Sequence, residues 1–317
     1  RNIEKLDFHF KHNLSVIVGN NGQGKTNVME SMVFLSAGRS FRVLDDKLLI
    51  QHNKPFASID ALMDDATRLR VVISDKGKHL QVNRKVIAKL SEFLGNCNVV
   101  LFSPDNLNFF TDAPRKRRRD IDYEMGKLSK RYMELLSSYS KVLSERNAYL
   151  KKARLDPVYH EIVTESLIEL QIPIMKQREA FCVAMSPLLT KWYQCINGSD
   201  DIVTIEYKGP VSVNGDEHES LRQRYHDMNQ REVDLRATQI GVHRDDYIMK
   251  LNGEPVIHIA SQGQKRMIML AYTFALVSLI HEKQKEYPIL CLDDLFSELD
   301  ETRRRRVIEM IPEEMQT

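Results

Sequence analysis

Cysteine is scarce in this chain of 317 residues: Cys97, Cys182, Cys195 and Cys291 are scattered, with no CxxC pair, which excludes a dense disulfide framework or a zinc knuckle. They read as buried thiols. Long apolar runs are missing too. No window approaches the roughly 18 uninterrupted apolar residues that crossing a bilayer requires, and the N-terminus is not a basic segment followed by an apolar signal core. The expectation is a cytoplasmic protein with no membrane partner. The ten histidines contain no HExxH or paired metal spacing. Net charge is only +2, so nucleic-acid binding must be argued from local clusters rather than from the overall balance.

What is present suits a folded protein. Apolar residues make up 42% of the chain, enough for a substantial core, and the length predicts one large domain or two of ordinary size, arranged as two lobes. Strands are expected at residues 3–10 and 14–18, before a glycine loop and a helix over 25–37. Alternating runs at 56–62, 69–73 and 79–86 predict a small antiparallel layer, and 98–102 a buried strand ended by Ser103 and Pro104. The sequence then turns helical to about Ile196. Apolar spacing of three and four recurs over 128–150 and 163–185, but heptads are not sustained, which favours a compact helical lobe over a long arm. Strands return at 202–207, 247–251 and 256–259, followed by a long helix over 262–286, an apolar strand at 289–292 and a closing helix from Thr302. The chain opens at Arg1 without a methionine and stops soon after a helix, which reads as a fragment or a chain with further ends.

Three motifs carry chemistry. Gly19, Asn20, Asn21, Gly22, Gln23, Gly24, Lys25 and Thr26, followed by Asn27, form a full GxxxxGKT match between an apolar strand and a helix. Such a loop binds ATP or GTP. Glycines let backbone N–H groups approach the phosphates, Lys25 reaches the β and γ phosphates, and the Thr26 hydroxyl holds Mg²⁺. The run ILCLDD supplies the second element, a buried strand whose terminal acids emerge where phosphates would sit. Asp293 holds Mg²⁺ directly or through water, and Asp294 occupies the place of a general base. The third is Ser261, Gln262, Gly263 and Gln264 at the start of the long helix. Alone it is a common serine N-cap. Some thirty residues upstream of the paired acids, it falls where ABC-type ATPases carry the signature that contacts a nucleotide held by another subunit. SELD from Ser297 then falls in the D-loop position.

With these motifs in order, the sequence resembles the RecF family of bacterial recombination mediators over nearly its whole length. The resemblance rests on GNNGQGKTN from Gly19, GRSFR from Gly38, FSPD from Phe102, PRKRRRDID from Pro114, GVHRDD from Gly241, IASQGQKR from Ile259 and LDDLFSELDETRR from Leu292. An opening strand, a strand after the last helix and a glutamine loop after Phe102 are lacking. The glutamine's role passes to Asp105 or to no visible residue. The resemblance implies an α/β fold: an ABC-type P-loop ATPase head with a mixed sheet, plus a mostly helical second lobe. The head would comprise residues 1–110, with the P-loop and β layer, and 201–317, with the signature, Walker B and D-loop; the helical lobe would span 111–200. It also implies ATP and Mg²⁺ as cofactors, an ATP-dependent homodimer on DNA, catalysis by Lys25, Ser261 and Asp294, and cooperation with RecO and RecR in loading RecA at single-strand gaps.

Two basic runs stand out. Arg115, Lys116, Arg117, Arg118 and Arg119 follow Pro114 at the entry to the helical lobe and are read as DNA contacts through phosphates. The run Arg303 to Arg306 reads as a solvated helix face. Arg39 and Arg42 in GRSFR read equally as DNA-side or structural, and His243, Arg244 and Asp245 as a hydrogen-bonded turn near the sheet. The main rival is an SMC-type chromosome-organising head, which should separate Lys25 from Ser261 by a long heptad run. A transporter subunit should instead carry LSGGQ and a glutamine loop.

Overall fold

The computed structural model describes residues 2–20, 22–152, 154–295 and 299–317. Directly after the glycine loop the chain enters α1 (Lys25–Ala37), flanked by Gly24 and Gly38, both in the left-handed region. An antiparallel layer follows: β1 (Phe56–Leu62), β2 (Arg68–Ser74), β3 (Gly77–Val82) and β4 (Lys85–Ile87), paired in chain order. Alternation along β2 sends Leu69, Val71 and Ile73 inward against Phe34 and Phe93 and leaves Arg68 and Arg70 outside. The run expected as one strand over 79–86 is two. Asn83 and Arg84, at φ 49° and 69°, form the two-residue left-handed turn that a tight hairpin demands.

Next come the short α2 (Leu90–Phe93), β5 (Val99–Phe102) and a 3₁₀ turn over Pro104–Phe110. Three helices succeed it, α3 (Pro114–Leu128), α4 (Lys130–Tyr149) and α5 (Pro157–Asn197). At 41 residues α5 is roughly 60 Å long, and it packs against α4, α8 and β6 rather than projecting as an arm. The remainder is β6 (Val203–Lys208), α6 (Glu217–Leu235), β7 (Asp246–Leu251), β8 (Glu254–Pro255), α7 (Val256–Ile259), α8 (Gln262–Gln284), β9 (Ile289–Leu292) and α9 (Glu301–Glu309). Ser186 and Thr190 on α5 hydrogen-bond the outer backbone of β6 at Ile205 and Val203, which satisfies an edge with no strand partner among the described residues.

Three further sequence expectations are corrected. Residues 3–10 and 14–18 form no strand. Their backbone meets a neighbour only locally, as Ser15 N donates to Thr317 O and Thr317 N to Asn13 O, and Leu14, Val16 and Val18 stay exposed. Apolar residues without a ladder do not make a strand. Residues 256–259 are the one-turn helix α7, closed by Ala260 N on Val256 O, because four apolar residues carry no period that separates helix from strand. Helix α6 has no counterpart among the expected elements. Its inward face is Leu221 and Tyr225 plus two carboxylates, too polar to stand out as a stripe.

The described residues form two apolar cores. The smaller gathers α1, the β layer and Cys97; the larger runs from β5 through α3, α4, α5, α8 and β7 to α9. β5 and β9 lie between them as a parallel pair, with Val99 and Cys291 facing the smaller core and Val100, Phe102 and Leu290 the larger. Burial on both faces is why ILCL reads as a continuous apolar run.

Candidate nucleotide site and signature surface

The parallel pairing of β5 with β9 brings two chain reversals to one edge. Phe102 is opposite Leu292, and Asp293 N donates to Phe102 O at 2.8 Å. Asp293 therefore emerges where β9 ends, beside Thr26 at the start of α1, whose hydroxyl favours the charged carboxylate. Partial burial raises the Asp293 pKa, with the charges of Asp294 and Asp105 acting in the same direction and Thr26 and Arg42 opposing. FSPD thus contributes Asp105 to the same acidic edge. Asp294 is exposed and holds a left-handed backbone at φ 53°.

The glycine loop lies beside this edge. Gly22 and Gly24 take φ of 81° and 98°, conformations that a β-carbon disfavours. The Lys25 ammonium donates to the carbonyls of Gly19 at 2.6 Å and Asn20 at 2.9 Å. Asn27, one residue beyond the motif, bonds to Asn2 Oδ1 and accepts from Arg42 at 3.3 Å, while Asn2 donates to Gly22 O at 2.9 Å. Gln23 is exposed, and Asn21 lies outside the described residues. Lys25, Thr26, Asp293, Asp294 and Asp105 are therefore neighbours, drawn from distant positions by one sheet edge. The donor set suits a divalent cation: the Thr26 hydroxyl and the half-buried Asp293 carboxylate are neighbours, and burial disfavours the carboxylate's charge unless a cation compensates it.

The signature is elsewhere in the fold. Ser261 is the N-cap of α8; its hydroxyl accepts from Gln264 N at 3.2 Å, and Gln264 Oε1 accepts from Ser261 N at 2.9 Å, a reciprocal capping box. Ser261, Gln262 and Gly263 are exposed, as are Ile257 and Ile259 just before them. Helix α8 has 23 residues and so spans roughly 34 Å, with its far end tied to Asn98 beside β5. Ser297, the first residue of the expected D-loop, lies outside the described residues; Asp300, its last, caps α9 by accepting from Arg303 N.

The basic run on α3 is placed less uniformly than its sequence suggests. Arg115 is exposed, and Lys116 pairs with Asp112 at 2.6 Å. Arg117 clasps both oxygens of Asp246 at 2.7 and 2.6 Å, Arg118 donates to the Asp245 carbonyl, and Arg119 sits 3.9 Å from Asp120. Arg303 and Arg306 reach Asn197 and the Ile196 carbonyl at the end of α5, so that run is only partly solvated. Arg39 stacks on Tyr123 at 3.9 Å and pairs with Asp120 at 2.9 Å.

GVHRDD is the hub of a buried polar network. Arg178, on α5 and almost fully buried, donates to Asp245 at 2.9 Å, to Asp122 at 2.9 and 3.1 Å, to the Val242 carbonyl at 2.7 Å and to Tyr132 at 2.9 Å. Tyr207 donates to Asp245 as well. Because His243 Nε2 faces the Thr238 carbonyl at 3.2 Å, that nitrogen carries the proton and Nδ1 accepts from Tyr139 at 2.7 Å. Burial lowers the His243 pKa to about 4 and raises that of Asp245 to about 6.

The profile of the RecF/RecN/SMC N-terminal domain matches residues 1–317. The DNA replication and repair protein RecF of Listeria monocytogenes is 36% identical over 328 aligned residues, covering 100% of this chain and 89% of the relative. The chain belongs to the RecF family. RecF of Bacillus subtilis is 35% identical with the same coverage. A solved structure described as the recombination mediator protein RecF with ATP in the RecFOR pathway superposes with a TM-score of 0.92 at 28% identity, over 100% of this chain and 87% of the other. The fold is thus that of RecF: an α/β, ABC-type ATPase head with a mostly helical second lobe. Among the described residues no helix is long and apolar enough to cross a membrane.

Proposed function

We propose that the chain is an ATP-driven DNA-repair protein whose two copies join across ATP on DNA and separate when ATP is hydrolysed, and which works with RecO and RecR to load RecA at single-strand gaps. One observation carries the ATP-held dimer: the phosphate loop and acidic edge form one half of a nucleotide site, and the signature stands apart on an exposed helix start. Each half needs its complement, and a second copy turned by a two-fold axis supplies it twice. The DNA-repair role is supported by relatives named DNA replication and repair protein RecF and by a solved relative described as a recombination mediator in the RecFOR pathway; RecA as the protein loaded is what the family resemblance implies.

In this reading the backbone N–H groups from Asn20 to Gly24 and the start of α1 cradle the phosphates, with Lys25 neutralising the outer ones. Thr26 and Asp293 would hold Mg²⁺, which would supply charge stabilisation to the phosphates. Asp294 would accept the proton of the attacking water. Ser261, Gln262, Gly263 and Gln264 face the γ-phosphate bound by the other copy, with Ser261 pre-oriented by its capping box.

Sedimentation velocity of the protein with ATP, with and without gapped duplex DNA, tests this. A dimer that needs ATP, persists in Asp294→Asn and is enriched on DNA is expected. A species that stays monomeric at saturating ATP, with and without DNA, would sink the reading.

A further inference from the structure

The β layer carries a cationic hollow that the nucleotide site does not use. Arg68, Arg70, Gln81 and Arg84 surround a depression of about 220 Å³ on its outer face. Their convergence follows from the register: Arg70 is opposite Gln81 and Asp60, while Asn83 in the hairpin turn holds the Arg68 backbone through its side chain at 2.8 Å and places Arg84 beside it. Two of the three guanidinium groups share one carboxylate, Asp60, at 3.3 Å from Arg68 and 3.6 Å from Arg70. The Arg70 atom that faces Asp60 is its buried Nε, beyond hydrogen-bond distance. Both paired arginines keep nearly half of their side-chain surface open, at 47% and 44%.

We infer that this face binds the phosphate backbone of a nucleic-acid duplex, without base readout. Guanidinium forks match phosphate oxygens two at a time, and such contacts dominate duplex affinity without needing an apolar anchor. The lining of the hollow has none: all four side chains are polar, which disfavours an acidic peptide, whose docking relies on buried apolar groups. Arg68 and Arg70 point the same way from one strand at a spacing of about 6.7 Å, on a rigid sheet that limits the ordering cost of binding. The run on α3 is a weaker platform, since Arg117 and Arg118 are bound to Asp246 and Asp245 within the fold. The inference rests on the DNA-binding reading above and adds its surface.

The test is a salt titration of binding to a short labelled duplex, with ATP present, for wild type and the triple variant Arg68→Gln, Arg70→Gln, Arg84→Gln. The slope of log affinity against log salt should flatten by about 0.9 for each phosphate no longer neutralised, up to about 2.7, with affinity at least about ten-fold weaker. Replacing the same three residues by lysine should retain most of the slope. Asp60→Asn, which removes the competing carboxylate, should bind about three-fold tighter, an effect that misfolding does not produce. ATP binding and thermal unfolding serve as controls. Equal slopes and affinities in wild type and the glutamine variant would overturn the inference and return the cluster to solvation or an acidic protein partner, while leaving the DNA reading standing. A wild type that binds no duplex removes both.

Discussion

Lys25 and His243 show how differently two side chains acquire a role. The Lys25 ammonium already satisfies itself on two carbonyls of its own loop, Gly19 and Asn20, so phosphates must compete for it, and a charged donor at that point has no local substitute. Lys25→Ala should weaken ATP binding by about 100-fold, the equivalent of a single charge-assisted hydrogen bond, as measured by equilibrium titration with a fluorescent analogue. His243 is neutral in the fold because burial pushes its pKa to about 4. Between about pH 4 and 6.5 the unfolded chain binds a proton there that the folded chain does not, so His243 adds stability as pH rises through that window and forfeits it as pH falls. Relative to His243→Gln, the wild type should lose about 2 kcal/mol between pH 7 and pH 5 in urea unfolding. The opposite effect of Asp245, whose pKa burial raises to about 6, is common to both proteins and cancels in the difference. A gap that does not change with pH would show that His243 keeps its unfolded-state pKa in the fold, and one that widens in favour of the wild type as pH falls that it is charged there.

At the scale of elements, α3 is held to β7 by ion pairing that its sequence does not announce. Arg117 grips Asp246, the first residue of β7, with two hydrogen bonds and also donates to the carbonyls of Phe109 and Asp112. Arg117→Ala leaves a partly buried carboxylate without its partner and should cost about 2 kcal/mol in chemical denaturation. A loss confined to DNA affinity, with unchanged stability, would contradict this placement. Most elements were legible where motif context or an apolar run marks them: α1, α4, α8, β1 and β2 occupy the expected ranges within a residue or two. The failures have a common origin in short or partnerless segments. Four apolar residues at 256–259 and the runs at 3–10 and 14–18 carry apolar character, but whether such a run becomes a strand depends on a neighbouring backbone that local pattern does not contain.

For the whole molecule, the separation of Ser261 from Lys25 yields a prediction about mixtures. Ser261→Arg should retain ATP binding and stay monomeric, and Lys25→Ala should fail to dimerise for want of nucleotide. Mixed in equal amounts with ATP, the two should form heterodimers, because one composite site then pairs the intact Lys25 of the first with the intact Ser261 of the second. Size-exclusion chromatography with light scattering reads the outcome. Failure of the mixture to dimerise, with both variants folded, would mean that one intact site is insufficient or that the two motifs do not meet across an interface.

The nucleotide motifs and their order were settled by sequence, because a phosphate loop is a local structure: glycine conformations, a following helix and one lysine define it within eight residues. The acidic pair was legible for the same reason, as the end of a buried strand. Tertiary structure alone decided what long-range pairing controls. Register between β5 and β9 brings Asp293 beside Thr26, and the inward turn of α3 commits Arg117 and Arg118 to the fold. Antiparallel pairing of β2 with β3 assembles Arg68, Arg70 and Arg84, which form no run in sequence. Charge density along a chain and charge density on a surface differ because folding chooses which side chains point outward, and that choice belongs to the packing of the opposite face.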